Sequence, residues 1–115
     1  MKINWRVAEV SGYAYYIERG YRILVSLVDS HGYDFVIEKD GLFSRVNVKV
    51  AGLKNKRDLK IWSISRSGTS SVIDSGPVCD IFLVYLPLTG NFIELDGDFF
   101  NGSRSKSKIL PRGLL

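Results

Sequence analysis

Two alternating runs joined by Asp40-Gly41 constrain this chain more than any other feature. Tyr33 to Glu38 and Phe43 to Val50 alternate apolar and polar residues, the period of strands that bury one face. Asp-Gly between such runs predicts a β-hairpin with a type I′ turn, because both central residues of that turn need φ > 0. With Asp40 and Gly41 as the loop, Lys39 opposes Leu42, Val36 opposes Arg45 and Asp34 opposes Asn47. Lys49 lies two residues past Asn47 and projects from the same face. Tyr33 with Val48, Phe35 with Val46 and Ile37 with Ser44 form the other face, which is apolar and expected in the core. A three-residue loop would slip this register and separate Asp34 from Asn47. A hairpin whose polar face is simply wet is the plainer reading of the same pattern.

Asp34, followed across a hairpin by Asn47-Val48-Lys49, resembles the core of the PD-(D/E)XK nucleases. There an aspartate begins one strand and a Glu/Gln-X-Lys triplet lies on the next. The strings Tyr33-Asp34-Phe35-Val36, Lys39-Asp40-Gly41-Leu42 and Val46-Asn47-Val48-Lys49 are similar to those of one small branch of the superfamily. That branch holds phage and cyanobacterial intron-associated homing endonucleases and Holliday-junction-resolvase-like proteins. It also carries an Ala-Glu pair in a preceding helix, matched by Ala8-Glu9, and a last core strand that Asp80 to Tyr85 resembles.

The resemblance implies an α+β (α/β) fold with a restriction-endonuclease-like core, an N-terminal helix followed by a mixed β-sheet in a single domain. It implies residues 1–100 as the nuclease domain and 101–115 as a basic tail. The implied activity is metal-dependent hydrolysis of DNA phosphodiester bonds, with Mg²⁺ or Mn²⁺ as cofactor. Asp34, Glu9 and the Val48 carbonyl would hold the metal, and Asp34, Asn47 and Lys49 would form the catalytic set. Asn47 departs from the family pattern. It is shorter than Glu or Gln, and it leaves the site one carboxylate poorer than the acidic versions. That departure keeps a second reading open, a nuclease-fold DNA-binding module without chemistry. A third is an assembly protein that uses its aromatic helix and β-edges.

At 115 residues the chain suits one domain with one core. Its net charge is +4, and the distribution says more than the sum. Lys49, Lys54, Lys56, Arg57, Lys60 and Arg66 meet only Asp58 in their stretch, and no acid follows Asp98 among Arg104, Lys106, Lys108 and Arg112. Such clusters suit a phosphate backbone, with affinity that falls steeply as salt rises. Lys54, Lys56, Arg57, Lys60, Arg104, Lys106 and Lys108 are the expected DNA contacts. No apolar run approaches the ~20 residues a membrane helix needs, and the N-terminus does not read as a signal peptide. Cys79 is the single cysteine, which excludes an intrachain disulfide and a cysteine zinc cluster and suits a buried thiol. These features fit a cytoplasmic protein.

Ile3, Val7, Val10, Ala14 and Ile17 fall at helical spacing and predict the buried stripe of one helix, with Asn4 as its cap and Gly20 at its end. Trp5, Glu9, Gly12 and Tyr16 form an adjacent stripe, which sets Glu9 near the edge of the buried face. Tyr13, Tyr15 and Tyr16 are too clustered for all to be buried in a monomer, which hints at a homodimer or higher homo-oligomer. Tyr21 to Val28 reads as a strand with Ile23, Val25 and Leu27 on one side, and Asp29 to Gly32 as a turn. Lys60 to Ser65 reads as a strand, and Cys79 to Leu86 with Asn91 to Leu95 as a second hairpin. Residues 66–76, rich in Ser and Gly, read as a loop where the family core has a helix. From Asn101 on the chain reads as a flexible or partner-bound tail. His31 is the only histidine and reads as a turn residue. No nucleophile elbow, Walker loop or Gly-x-Gly-x-x-Gly is present.

Overall fold

Asp40 and Gly41 take φ of 55° and 81°, the left-handed pair of a type I′ turn. A Cβ at Gly41 would meet nothing within 4 Å, so glycine serves the backbone angle there rather than a close contact. The computed structural model describes residues 5–28, 32–56, 59–65, 79–87, 89–100 and 107–110. Helix α1 (Trp5–Glu18) is followed by β1 (Arg22–Leu24), β2 (Phe35–Lys39), β3 (Leu42–Val50), β4 (Gly52–Lys56), β5 (Leu59–Ser65), β6 (Ile81–Leu86), β7 (Asn91–Asp96) and β8 (Ser107–Ile109). Ile3, Asn4, His31, Arg57, Arg66, Arg104, Lys106, Arg112 and the whole loop 66–76 lie outside the described residues.

The strands form a five-stranded sheet, ordered β1-β2-β3-β6-β7, and a three-stranded sheet, ordered β4-β5-β8. The β2–β3 register is the expected one, from Lys39↔Leu42 through Val36↔Arg45 to Phe35↔Val46. β3 and β6 run parallel, with Asn47 beside Phe82 and Lys49 beside Val84, while the remaining pairs of this sheet are antiparallel. A helix followed by a mixed sheet is the α+β, restriction-endonuclease-like core expected from the sequence. β6 is buried on both faces, as a central parallel strand should be, and its Ile-Phe-Leu-Val-Tyr-Leu run reads accordingly.

Each face of the large sheet carries its own core. On one side Phe35, Ile37, Val46 and Leu83 pack with Tyr16 of the helix. On the other side Phe82, Val84 and Leu86 pack with Ala51, Cys79, Leu95, Phe100 and Leu110. Truncating a buried aromatic such as Phe35 costs about 3–5 kcal/mol. Tyr33 was expected beside Val48 on the helix side, yet it packs against the opposite cluster. The alternation breaks at Asp34, whose N–H donates to Val46 O at 2.8 Å although Phe35 already pairs with Val46.

Helix α1 presents the face opposite to the expected one. Val7, Val10 and Ile17 are 54%, 62% and 58% exposed, while Ala8, Gly12 and Tyr16 are buried. With about 3.6 residues per turn, Gly12 and Tyr16 do not flank the expected stripe but lie opposite it, where with Ala8 they form a second stripe of small and aromatic residues, and periodicity alone does not choose between the two. Packing decides. Gly12 lets the helix settle onto the sheet, where a Cβ would sit 3.1 Å from Leu83 Cδ2. Tyr16 brings an aromatic ring, which removes about 150–250 Å² from water. It packs against Tyr21 and Phe35 and donates its hydroxyl to Glu94 Oε2 at 2.9 Å. Tyr13 and Tyr15 are half-buried with their rings on Phe35 and Phe92, so the tyrosine cluster is used within the chain. The uncovered apolar surface is the aliphatic stripe instead.

Gly20, at φ 88°, ends the helix as expected. Its N–H donates to Ile17 O and that of Tyr21 to Tyr16 O, both at 3.0 Å, the paired bonds of a Schellman cap. β1 is shorter than the expected strand from Tyr21 to Val28. Leu24 already pairs with Val36 and β2 starts at Phe35, so the chain beyond runs out of partner and leaves Val25 and Leu27 exposed. β4 was not expected, nor was β8, which lies inside the segment read as a tail. β8 pairs with β5, and Leu110 beside it is 1% exposed.

Candidate nuclease site

Asp34 stands where β2 gives way to the turn before it. One oxygen of its carboxylate accepts the Val48 N–H at 2.6 Å, so a side chain supplies the bond that a longer β2 would make. Burial raises its pKa, against the lowering effects of the Val48 N–H and Lys49. Lys49 is half-buried too. Desolvation lowers its pKa, and Asp34 works in the opposite direction. Its ammonium sits 6.0 Å from the centre of the Phe82 ring. The chain thus keeps a carboxylate and an ammonium together in a place that disfavours either charge alone.

Asn47 adds an unusual element. Its Nδ2 donates to Gly32 O at 3.2 Å, and its Oδ1 is buried without a hydrogen-bond partner. Swapping oxygen and nitrogen would set two oxygens against each other at Gly32, so the bond fixes the amide's orientation. A buried acceptor with no donor costs about 1–3 kcal/mol. Such an atom is suited to a cation or an ordered water.

Glu9 lies half-buried on α1 and accepts the Tyr13 hydroxyl at 2.9 Å. Burial, then the bond to Glu9, push the Tyr13 phenol up to about 12, and the Asp34 charge adds to this. The phenol therefore lies within the field of both acids. Among the described residues no cluster of three or more His, Cys, Asp or Glu is placed to hold a metal. The available donors are hard oxygens: the Asp34 carboxylate and the free Asn47 amide oxygen, with the Glu9 carboxylate on the helix side of the sheet, where Tyr13 feels the charges of both Glu9 and Asp34. That set fits a magnesium-like ion, which binds through one or two carboxylates and keeps several waters.

Neighbouring contacts hold the strands that carry these groups. Arg45 clasps Asp80 through Nε at 3.1 Å and Nη2 at 3.0 Å, while its backbone N–H donates to Asp80 Oδ2 at 2.7 Å. This locks the start of β6 to β3 and holds the Asp80 carboxyl below its ordinary pKa. Cys79 is buried as expected, and burial pushes its thiol up to about 11. Sequence reasoning missed Tyr13, Gly32 and the Arg45–Asp80 clasp. Tyr13 had a legible signal, four residues after Glu9 on one helix.

The basic residues are spread over other elements. Lys54, Lys56 and Lys60 lie on the β4–β5 hairpin. Lys108, between β5 and the Phe99 turn, donates its ammonium to Phe99 O at 2.7 Å and covers the Phe99 ring.

A family model described as PD-(D/E)XK endonuclease matches residues 6–108. Among solved structures, a bacterial homing endonuclease, I-Ssp6803I, is similar over 91% of this chain and 70% of its own, with a TM-score of 0.71 and 20% identity. At that identity the likeness is one of fold. No curated protein matches the chain.

Proposed function

We propose, from the premise that this chain belongs to the PD-(D/E)XK endonuclease family, that it is an endonuclease hydrolysing DNA phosphodiester bonds with Mg²⁺ or Mn²⁺. The observation that carries the reading is the unpartnered Asn47 oxygen beside the half-buried Asp34 and Lys49. Asp34 is assigned as the central metal ligand, with Glu9, Asn47 Oδ1 and the Val48 carbonyl around it. A metal bound there would supply Lewis-acid polarisation of the phosphate and a more acidic water. Lys49 stabilises the charge that develops on the phosphate, an effect that its partial desolvation strengthens. Asn47 orients water or metal through Oδ1 while Nδ2 stays on Gly32. The net charge of +4 and the lysines of the β4–β5 hairpin suit the DNA backbone.

Cutting both strands of a duplex is most simply done by two copies related by a two-fold axis. The exposed stripe of Val7, Val10 and Ile17 is assigned as their contact. A cytoplasmic setting goes with this reading. Among the described residues no helix is long and apolar enough to cross a membrane.

Asp34→Ala and Lys49→Ala should each abolish cleavage while near-UV circular dichroism stays native. Wild-type cutting by either variant would sink the assignment. Asn47 also favours a second reading, a module that binds DNA without cutting it. That reading predicts salt-dependent DNA binding with no effect of divalent metal.

A further inference from the structure

We propose that Tyr13 is a positioning residue of this site, holding the Glu9 carboxylate toward the Asp34 metal position through its phenolic hydroxyl. The inference rests on the nuclease reading above and extends it to a residue outside the family motif. Glu9 is a long acid on a helix surface, and alone it would be free to turn to solvent. Tyr13, one turn later, donates to Glu9 Oε1 at 2.9 Å. The ring is itself fixed. It packs edge-on against Phe35, with centroids 4.9 Å apart and planes at 80°. Phe35 directly follows Asp34, so the packing that anchors Tyr13 also sets the hydroxyl near the start of β2. The helix cannot slide away, because Gly12 next to Tyr13 is seated on Leu83, Val48 and Phe35. One donor thus engages one Glu9 oxygen and leaves the other available. Groups that hold metal ligands in this way typically contribute about 10–100-fold in metal affinity.

A packing role for Tyr13 would rest on its ring alone, and Tyr13→Phe separates the two. Free Mn²⁺ would be titrated by electron paramagnetic resonance against the full chain, Asp34→Ala, Tyr13→Phe, Glu9→Gln and the Tyr13→Phe/Glu9→Gln double variant. The expected result is loss of the site in Asp34→Ala and about tenfold weaker binding in Tyr13→Phe. Tyr13→Phe should add nothing once Glu9 is already Gln, because it acts through that carboxylate. Unchanged Mn²⁺ affinity in Tyr13→Phe, with the site still lost in Asp34→Ala, overturns this proposal and leaves the nuclease reading standing. Absence of Asp34-dependent Mn²⁺ binding in the wild type overturns both. A urea midpoint for Tyr13→Phe lowered by about 1 M or more assigns the hydroxyl a structural role and likewise overturns the proposal.

Discussion

Replacing Asn47 by aspartate tests what this short amide does where the family usually has the longer Glu or Gln. The change looks favourable for a metal site, since it adds a carboxylate. In the metal-free protein it should be costly. Nδ2 donates to Gly32 O at 3.2 Å, and a carboxylate oxygen in that place would face the carbonyl oxygen. The lost bond is worth about 1 kcal/mol net, and the stranded acceptor about 1–3 kcal/mol more. Together these give a loss of about 2–4 kcal/mol, a large share of the ~5–15 kcal/mol that holds a small domain. With an m-value of about 1–3 kcal/mol/M, the urea midpoint at pH 7 should fall by on the order of 1–2 M.

The loss should depend on pH. Burial and the Asp34 charge should raise the folded pKa of the new carboxyl above its unfolded value of about 3.9 against the lowering effect of Lys49, as burial outweighs the same ammonium at Asp34. The folded form then binds more protons than the unfolded one between those two values. The destabilisation is therefore complete above the folded pKa and shrinks as pH falls through it. Added Mn²⁺ should also reduce it by supplying the missing countercharge. Urea unfolding at pH 7 and near pH 4, with and without Mn²⁺, is the assay. An Asn47→Asp protein as stable as wild type at pH 7 without metal would refute the role given to the Gly32 bond.

Three further outcomes follow from the same contacts. On the proposed assignment cleavage needs ionised Asp34 and protonated Lys49, so both limbs of the pH profile of kcat/KM should move inward, the acid limb above 3.8 and the alkaline limb below 10.5. A profile flat across either displaced limb would contradict this. Gly97→Ala would place a Cβ 2.0 Å from Cys79 O, against backbone that cannot rotate away, so it should cost about 3 kcal/mol or more, read as a fall in urea midpoint. Val10→Lys should leave the fold intact, because Val10 is 62% exposed, and should abolish self-association by sedimentation velocity; an unchanged profile in a self-associating wild type would remove this stripe from the interface.

The hairpin was legible because its signals agree. Asp40-Gly41 sets the turn, and the turn sets the register of β2 against β3 from Lys39↔Leu42 to Phe35↔Val46. The end of that register was not legible. Alternation put Tyr33 beside Val48, but the backbone shifts at Asp34 so that a carboxylate can take the Val48 N–H. A periodic pattern carries no mark of such a shift. The helix failed for a different reason. Val7, Val10 and Ile17 make a good apolar stripe, and only the sheet's need for a close approach at Gly12 and a ring at Tyr16 selects the other side. β8 was hidden because Ser107 to Ile109 is too short to show a period, and its pairing with β5 is far away in sequence. At the candidate site, motif order picked out Asp34, Asn47 and Lys49 as the expected set. The Gly32 carbonyl that holds Asn47, and the neighbouring Tyr13–Glu9 and Arg45–Asp80 contacts, arise from the fold alone.

Supercoiled plasmid, incubated with the purified chain in Mg²⁺ or Mn²⁺ and in chelator, tests the central claim most directly. The account predicts nicked or linear DNA with metal, none with chelator, and none from Lys49→Ala under either condition. Intact plasmid with metal, while the chain still binds DNA at low salt, would contradict it and leave the non-cutting module as the better description.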